Sequence, residues 1–316
     1  MTVPLSTTDS MPTVGTIRAS GPSFRDGRGL DRVLVWLTLG FLVAFSALPL
    51  VYNVVMSFQS VDLFTIASFD RPFVGLDNYK AVLSQRATGT IVRNTAVFVG
   101  LSVALQLTIG FGLALYFQQR FPGSTWLRGL FLAGWIMPGL VVGGVWSWIL
   151  AGDFGVMNWA LQATGITSDK IFWLSDPSIA LYSVIIANVW VGVPFNMILL
   201  SVGLAAIPDD VYEAAEMDGA GRIWRFLTIT LPLMRAQLGA VISLGIIFTL
   251  QQFDLFAALT QGGPSNGSNV MQYWSWELSF QHYRIGQGAA VSVLMILVVI
   301  CVAAIYVRST RHEHAA

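Results

Sequence analysis

Six apolar stretches, each long enough to cross a lipid bilayer as a helix, constrain the fold of this chain more than any other feature. A helix needs about 20 predominantly apolar residues to span the hydrocarbon core. The stretches are residues 33–58, 91–117, 127–150, 179–204, 238–260 and 286–307. Only 11% of the 316 residues are charged, against about 25% in a soluble domain. We therefore predict an all-α, polytopic membrane helix bundle with six transmembrane helices over residues 31–308.

The two ends of the chain are predicted to lie outside this bundle. Residues 1–30 are rich in Ser, Thr, Gly and Pro and have few large apolar side chains, a composition typical of disorder. They lack the short apolar core and cleavage site of a signal peptide. Lys and Arg are more frequent in the segments on the side of the N-terminus, which predicts that both tails, 1–30 and 309–316, are cytoplasmic.

Catalytic and metal sites have no support in the sequence. Cys301 is the one cysteine, and the three histidines, His282, His312 and His314, do not have metal-ligand spacing. The chain has only two lysines, Lys80 and Lys170, and neither belongs to a G-x-x-x-x-G-K-[ST] phosphate-binding loop. We therefore predict no catalytic residue, no bound metal or cofactor, and no ATP hydrolysis by this chain itself.

A polar segment between the fourth and fifth apolar stretches is longer than a simple connection, which needs two to eight residues. Pro208, Asp209 and Asp210 favour a helix start, because proline fixes φ and the acids suit the positive helix end. Gly219 can end that helix in a left-handed turn. We therefore interpret the segment as a docking element outside the bilayer. The alternative is an interfacial helix that only connects two spans.

The same segment carries a family resemblance. Glu213-Ala214-Ala215, Gly219 and Ile229-x-Leu231-Pro232 resemble the EAA loop of permease subunits of bacterial ATP-binding-cassette (ABC) importers. The family often has a further proline at the position of Arg235. The resemblance implies the type I ABC importer permease fold and a cytoplasmic coupling loop over residues 205–232. It implies that separate ATPase subunits contact Glu213, Ala214, Ala215, Asp218, Gly219, Ala220, Ile229, Leu231 and Pro232.

Further stretches resemble the carbohydrate permeases of this superfamily. They are Phe73-Val74-Gly75-Leu76-Asp77-Asn78-Tyr79, Arg93-Asn94-Thr95, Phe154-Gly155-Val156-Met157-Asn158 and Leu259-Thr260-Gln261-Gly262-Gly263-Pro264. This resemblance implies a sugar or sugar-like substrate and a multi-pass location in the bacterial cell membrane. The implied partners are a second EAA-type permease, an extracytoplasmic binding protein and two ATPase subunits, which hold the ATP and Mg.

A substrate path is predicted in the third, fourth and fifth stretches. Gly245, Phe248, Thr249 and Gln252 follow i, i+3, i+4, i+7 spacing and would share one helix face. Thr249 and Gln252 could hydrogen-bond a sugar's edge, and Phe248 could stack on its face. Resemblance to the maltose permease adds Trp135 and Gly139 from the third stretch and Asn188, Gly192 and Phe195 from the fourth. The alternative is that these residues only pack helix against helix.

The sequence leaves several alternative roles and functions open. Asp254 could be a sugar ligand, a gate or an interface residue. A phosphate, amino-acid or polyamine permease of the same superfamily is the nearest alternative function. An ion-coupled carrier working alone would need buried titratable groups within the spans, where only Asp254 is available. A membrane enzyme would need a catalytic cluster, and the sequence offers none.

Overall fold

The computed structural model describes residues 27–68, 70–119 and 121–311, so most of the two predicted tails, 1–30 and 309–316, lies outside the described residues. The described chain is helical. Its helices are α1 Gly27–Leu42, α2 Leu48–Ser57, α3 Asp77–Leu83, α4 Thr88–Gln118, α5 Ser124–Ile136, α6 Gly139–Ile149, α7 Val156–Ala163, α8 Ala180–Ala205, α9 Asp209–Met217, α10 Arg222–Arg225, α11 Leu231–Leu233, α12 Arg235–Leu250, α13 Asp254–Leu259, α14 Met271–Trp276 and α15 Ile285–Arg311. Single π-helical turns follow α1, α10 and α14 at Val43–Ala47, Phe226–Thr230 and Glu277–Gln281.

The chain divides into two compact units, residues 1–52 and residues 53–316. In the first unit the structure describes α1, the π-helical turn after it and the first residues of α2. The second unit contains the remaining helices and all of the residues predicted for coupling and for the substrate path.

Four of the predicted spans are confirmed as helices that are long and apolar enough to cross a membrane. They are Asp31–Ser57, Thr88–Gln118, Ala180–Ala205 and Ile285–Arg308. Two further spans exist only if each of two bent helix pairs counts as one crossing, which would bring the described total to six. The all-helical, polytopic architecture predicted from the sequence is therefore confirmed.

The predicted span over residues 127–150 is broken into two helices. Helices α5 and α6 meet at an angle of 99°, and the break falls at Met137 and Pro138, both of which have extended backbone. Proline lacks the N–H that would continue the helical hydrogen bonds of α5. Pro138 lies inside the predicted span, and the observed turn there is close to a right angle.

The predicted span over residues 238–260 is also interrupted. Helix α12 ends at Leu250, and a separate short helix, α13, begins at Asp254. Upstream, the pair Arg222–Leu233 and α12 form a bent unit with an angle of 71°. The break after Leu250 lets α13 insert Leu255 and Phe256, both 0% exposed, into the core. Tertiary burial therefore overrides the unbroken apolar pattern.

Helices α4 and α8 form the central packing of the second unit, and two glycines let them approach closely. A Cβ at Gly110 would lie 2.8 Å from the Cβ of Asn196 and 3.1 Å from the backbone nitrogen of Met197. In the reverse direction, a Cβ at Gly192 would lie 2.3 Å from Cδ of Gln106. Asn196 of α8 thus lies opposite Gly110 of α4, and Gln106 of α4 lies opposite Gly192 of α8.

Buried clusters lie toward both ends of α4. Near its C-terminal end, Phe111 and Phe117 pack with residues of α8 and with Met234 and Val241. Near its N-terminal end, Ile91 packs with Trp274, Leu278 and other residues that precede or begin α15. The segment from α9 to α11 and the loops around α14 therefore lie at opposite ends of the helix bundle.

Candidate functional site

Helix α9 forms as the sequence predicts. It begins at Asp209 after the extended residue Pro208, and Asp209 and Asp210 occupy its first turn. Gly219 has φ 74°, and the N–H groups of Gly219 and Ala220 donate to the carbonyls of Glu216 and Ala215 at 3.0 Å each. This is the Schellman arrangement that ends a helix at a left-handed glycine. The chain then reverses into α10.

Two side-chain contacts hold α9 against the segment that follows, and we call residues 209–230 the α9 hairpin. Glu216 forms an ion pair with Arg225. The hydroxyl groups of Tyr212 and Thr230 lie 2.9 Å apart. Tyr212 and Phe226 also pack against the buried cluster at the ends of α4 and α8. The hairpin is therefore tied both to itself and to the helix bundle.

The predicted ATPase-coupling residues differ in their exposure. Glu213, Ala214, Asp218, Gly219 and Pro232 are exposed, and Ala220, Ile229 and Leu231 are half-buried. Among the described residues no ion pair involves Glu213, so its carboxylate is available to another subunit.

Ala215, one of the predicted ATPase-coupling residues, has a buried side chain. It is 7% exposed and lines a cleft of about 570 Å³ within the hairpin, together with Trp224 and Ile229. A buried alanine here permits close packing inside the hairpin. Its side chain is therefore used for folding the element, and Ala214 is the alanine left open.

Three of the predicted substrate-path residues form one aromatic cluster. The rings of Trp135 and Phe195 are stacked, with centroids 5.3 Å apart and an interplanar angle of 19°. Phe248 meets Phe195 edge to face at 5.5 Å. Trp135 and Phe248 are 45% and 55% exposed, so rings from α5 and α12 remain accessible, while Phe195 between them is half-buried. We call these three residues the aromatic triad.

Gly139 lies against Asp254. A Cβ at position 139 would lie 2.4 Å from Oδ2 and 2.7 Å from Cβ of Asp254. One turn later, a Cβ at Gly143 would lie 2.4 Å from the Cβ of Ala258. Gly139 therefore permits the packing of α6 on α13, and Asp254 lies half-buried at this contact at the start of α13.

The other predicted path residues mostly pack helices together. Gly192 accommodates Gln106, whose Nε2 donates to the Asn188 carbonyl at 2.9 Å. Gly245 and Thr249 are buried in α12. Asn188 is 6% exposed, and its side-chain nitrogen is without a hydrogen-bond partner in the described part of the chain. A buried polar group left without a hydrogen bond costs about 1–3 kcal/mol. Asn188 is therefore the buried residue of the predicted path that has a donor available for a ligand.

Gln252 does not share the predicted helix face. Because α12 ends at Leu250, Gln252 lies in the break between α12 and α13. The helical spacing that grouped it with Gly245, Phe248 and Thr249 does not extend that far. The Gln252 side chain is half-buried.

The family-like motifs at the other end of the bundle are built around asparagines. Asn94 donates to the carbonyls of Asn266, Gly267 and Asn269 at 3.0–3.1 Å, which ties the Gly262-Gly263-Pro264 loop to α4. Asn78 donates to Ser57 and Gln59. Asn158 donates to Gly152 and Ile171. These motifs organise loops by satisfying backbone carbonyls.

Sequence reasoning missed three residues that shape these sites. Gln106 bridges α4 to α8 beside Gly192, and a polar residue inside an apolar span was the signal for it. Glu216 and Arg225 were missed as a pair, although opposite charges flank the helix-ending Gly219. Each of these residues supports a predicted site by holding its neighbours in place.

A helical bundle with up to six spans and a polar hairpin at one end defines a polytopic membrane permease. Residues 106–312 match the family model described as binding-protein-dependent transport system inner membrane component. The trehalose/maltose transport system permease protein MalF of Thermococcus litoralis is 35% identical over 77% of this chain and 81% of its own length. The diacetylchitobiose uptake system permease protein DasB of Streptomyces coelicolor is 34% identical over 82% and 80%.

A solved structure has the same fold. A chain of a bacterial ABC transporter involved in the import of the acidic polysaccharide alginate superposes with a TM-score of 0.77 and 20% identity, covering 92% of this chain and 97% of that one. The protein therefore belongs to the family of binding-protein-dependent inner membrane permeases of ABC transporters. It is a non-catalytic, multi-pass membrane component that works with separate ATPase subunits and a binding protein and binds no cofactor of its own.

Proposed function

We propose that this permease imports a sugar or sugar-like solute and forms the translocation path together with a second EAA-type permease. The observation that carries the proposal is the aromatic triad, since exposed ring faces can stack on the C–H faces of a sugar. Relatives whose names specify trehalose/maltose and diacetylchitobiose transport support the same substrate class.

The α9 hairpin is the proposed attachment point for the ATPase subunits. Glu213 and Ala214 are exposed, while Ala215 is buried within the hairpin and Tyr212 packs against the buried cluster at the ends of α4 and α8. A force applied to Glu213 would therefore be transmitted to α4 and α8 through packed side chains. The hairpin and both termini are proposed to be cytoplasmic, because Lys and Arg are more frequent in the segments assigned to that side.

The proposed mechanism is alternating access. ATP binding by the partner subunits draws the hairpins together and opens the path outward, and hydrolysis reverses the change. ATP and solute must favour different conformations, because a ligand that binds both equally shifts nothing. Helix α6 is one half of the bent pair α5–α6 and packs on α13 through Gly139 and Asp254. This contact is the proposed site of relative movement between α6 and α13.

The substrate class is tested with the complete transporter in proteoliposomes. Binding protein loaded with maltose, trehalose or diacetylchitobiose should stimulate ATP hydrolysis, whereas phosphate, amino acids and polyamines should not. Stimulation by one of those other solutes, and by none of the saccharides, would refute sugar import.

The path itself is tested with Phe248→Ala, which should raise the KM for uptake about tenfold or more, because an aromatic contact and its buried area contribute about 1.5–3 kcal/mol. Leu297→Ala is the control, since Leu297 is an exposed apolar residue of α15 outside the predicted path. Equal effects of the two substitutions would count against a specific contact by Phe248.

A further inference from the structure

A second pocket, at the end of the bundle opposite the α9 hairpin, lies outside the predicted substrate path. It has a volume of about 750 Å³ and is formed by the end of α2, the residues before α13, α14 with its π-helical turn, and the start of α15. Ligand pockets in proteins have volumes of about 300–1,000 Å³. The pocket is therefore large enough for one or two sugar rings.

Aromatic side chains form one wall of this pocket. The ring of Trp276 lies 5.3 Å from that of Phe253 and 6.3 Å from that of Phe280. Tyr273 supports the wall from behind, since it is 2% exposed and its ring lies 5.4 Å from Trp276. Phe280 is 67% exposed, so the wall presents an open aromatic surface at the end of the bundle.

Two amide side chains provide the polar part. Asn53 and Gln272 line the pocket and have no side-chain hydrogen bond to any of the described residues. Each amide offers both donors and an acceptor. The hydroxyls of Ser275 and Ser292, by contrast, already bond to one another at 2.7 Å. Free hydrogen-bonding capacity in the pocket therefore lies in the two amides and in the hydroxyl of Tyr283, which also lines the pocket and has no side-chain hydrogen bond to the described residues.

The pocket is also uncharged, because the side chains that line it include no Asp, Glu, Lys or Arg. A charged ligand would lose hydration here without gaining an ion pair. Free amides beside aromatic faces suit instead a neutral ligand that has hydroxyl groups around its edge and C–H groups on its faces. This combination is the chemistry of a neutral saccharide.

We infer that this pocket is a second saccharide-binding site, separate from the aromatic triad, in which Trp276 and Phe280 contact the sugar face and Asn53 and Gln272 bond its hydroxyls. Phe253 belongs to the pocket wall and follows Gln252, so the site adjoins the break between α12 and α13. A saccharide held there would lie beside the helix break that borders the proposed path. The inference rests on the proposed sugar import.

The test uses the chain's single cysteine, Cys301, which is exposed and can be replaced by Cys301→Ala. In that background, Leu63→Cys and Ile66→Cys place a thiol at the exposed edge of the pocket without removing a proposed sugar contact. Ser84→Cys is the matched control, because Ser84 is exposed outside the pocket at the C-terminal end of α3. The rate of alkylation by N-ethylmaleimide is measured in the complete transporter with and without maltose, trehalose and diacetylchitobiose.

One of these saccharides should slow alkylation at both pocket positions about tenfold at about nine times its dissociation constant, and should leave Ser84→Cys unchanged. Saccharide-stimulated transport with unprotected pocket thiols would overturn this inference alone. Protection that appears on assembly without any saccharide would also overturn it, because a partner side chain would then fill the pocket. A transporter that responds to no saccharide would instead refute the proposed function.

Discussion

The α-carbon of Gly139 lies directly against the carboxylate of Asp254, so that any side chain at position 139 would overlap it. A Cβ there would lie 2.4 Å from Oδ2. This contact joins the helix that follows the 99° bend to the short helix that follows the break after Leu250. The two departures from straight spans therefore meet at one point.

Gly139→Ala should lower the free energy of unfolding by about 1–3 kcal/mol, because overpacking forces atoms apart. The thermal unfolding temperature of the purified transporter measures the effect. Gly144→Ala, in the same helix, is the control, since a Cβ there would meet nothing within 4 Å. Gly144→Ala should leave the stability of the transporter unchanged or raise it slightly, because alanine favours a helix by about 1 kcal/mol over glycine. Equal stability of the two variants would contradict the close packing of α6 on α13.

Gly110→Ala makes the corresponding test of the α4–α8 contact. The new Cβ would lie 3.1 Å from the backbone nitrogen of Met197, and a backbone atom in a helix moves less easily than a side chain. We expect a loss of about 1–3 kcal/mol, seen as a lower unfolding temperature. Gly112→Ala, two residues along α4, has open space and should be neutral or stabilising. A neutral Gly110→Ala would show that α4 and α8 are farther apart.

Asn94→Ala should loosen the loop that carries Gly262, Gly263 and Pro264. The substitution removes the donor to three carbonyls, and unpaired buried groups cost about 1–3 kcal/mol. Hydrogen exchange of residues 262–270 should rise, with a smaller change around α9. Thr108→Ala is the control, because its hydroxyl is exposed and bonds only within its own helix. Unchanged exchange in the loop would mean that Asn94 does not hold it.

The sequence predicts the helices that are continuous and the ends that have local signals. Long apolar runs sufficed for α4, α8 and α15, and Pro208 and Gly219 sufficed for the two ends of α9. Each of these signals acts through backbone geometry within a few residues. Such features can be read without any knowledge of the neighbouring helices.

The break after Leu250 has no such local signal, because neither glycine nor proline occurs between residues 250 and 253. It depends on the burial of Leu255 and Phe256 by distant helices. The same limit applies to the substrate path. Resemblance supplied Trp135 and Phe195, and helical spacing supplied Phe248, but only tertiary structure shows that the three rings meet. The burial of Ala215 likewise depends on α10, which lies beyond the glycine turn.

The α9 hairpin gives the sharpest test of coupling. Glu213→Lys reverses the charge of an exposed side chain that forms no ion pair within the described chain, so stability should be unchanged. Docking to a basic site on an ATPase subunit should fail, and solute-stimulated ATP hydrolysis should fall about tenfold or more, as for loss of a charge-assisted contact of 1.5–3 kcal/mol. Asp169→Lys makes the same charge change on an exposed residue far from the hairpin in sequence and should have no effect. Normal stimulation by a folded Glu213→Lys transporter would exclude Glu213 as the point at which ATPase subunits act on this permease.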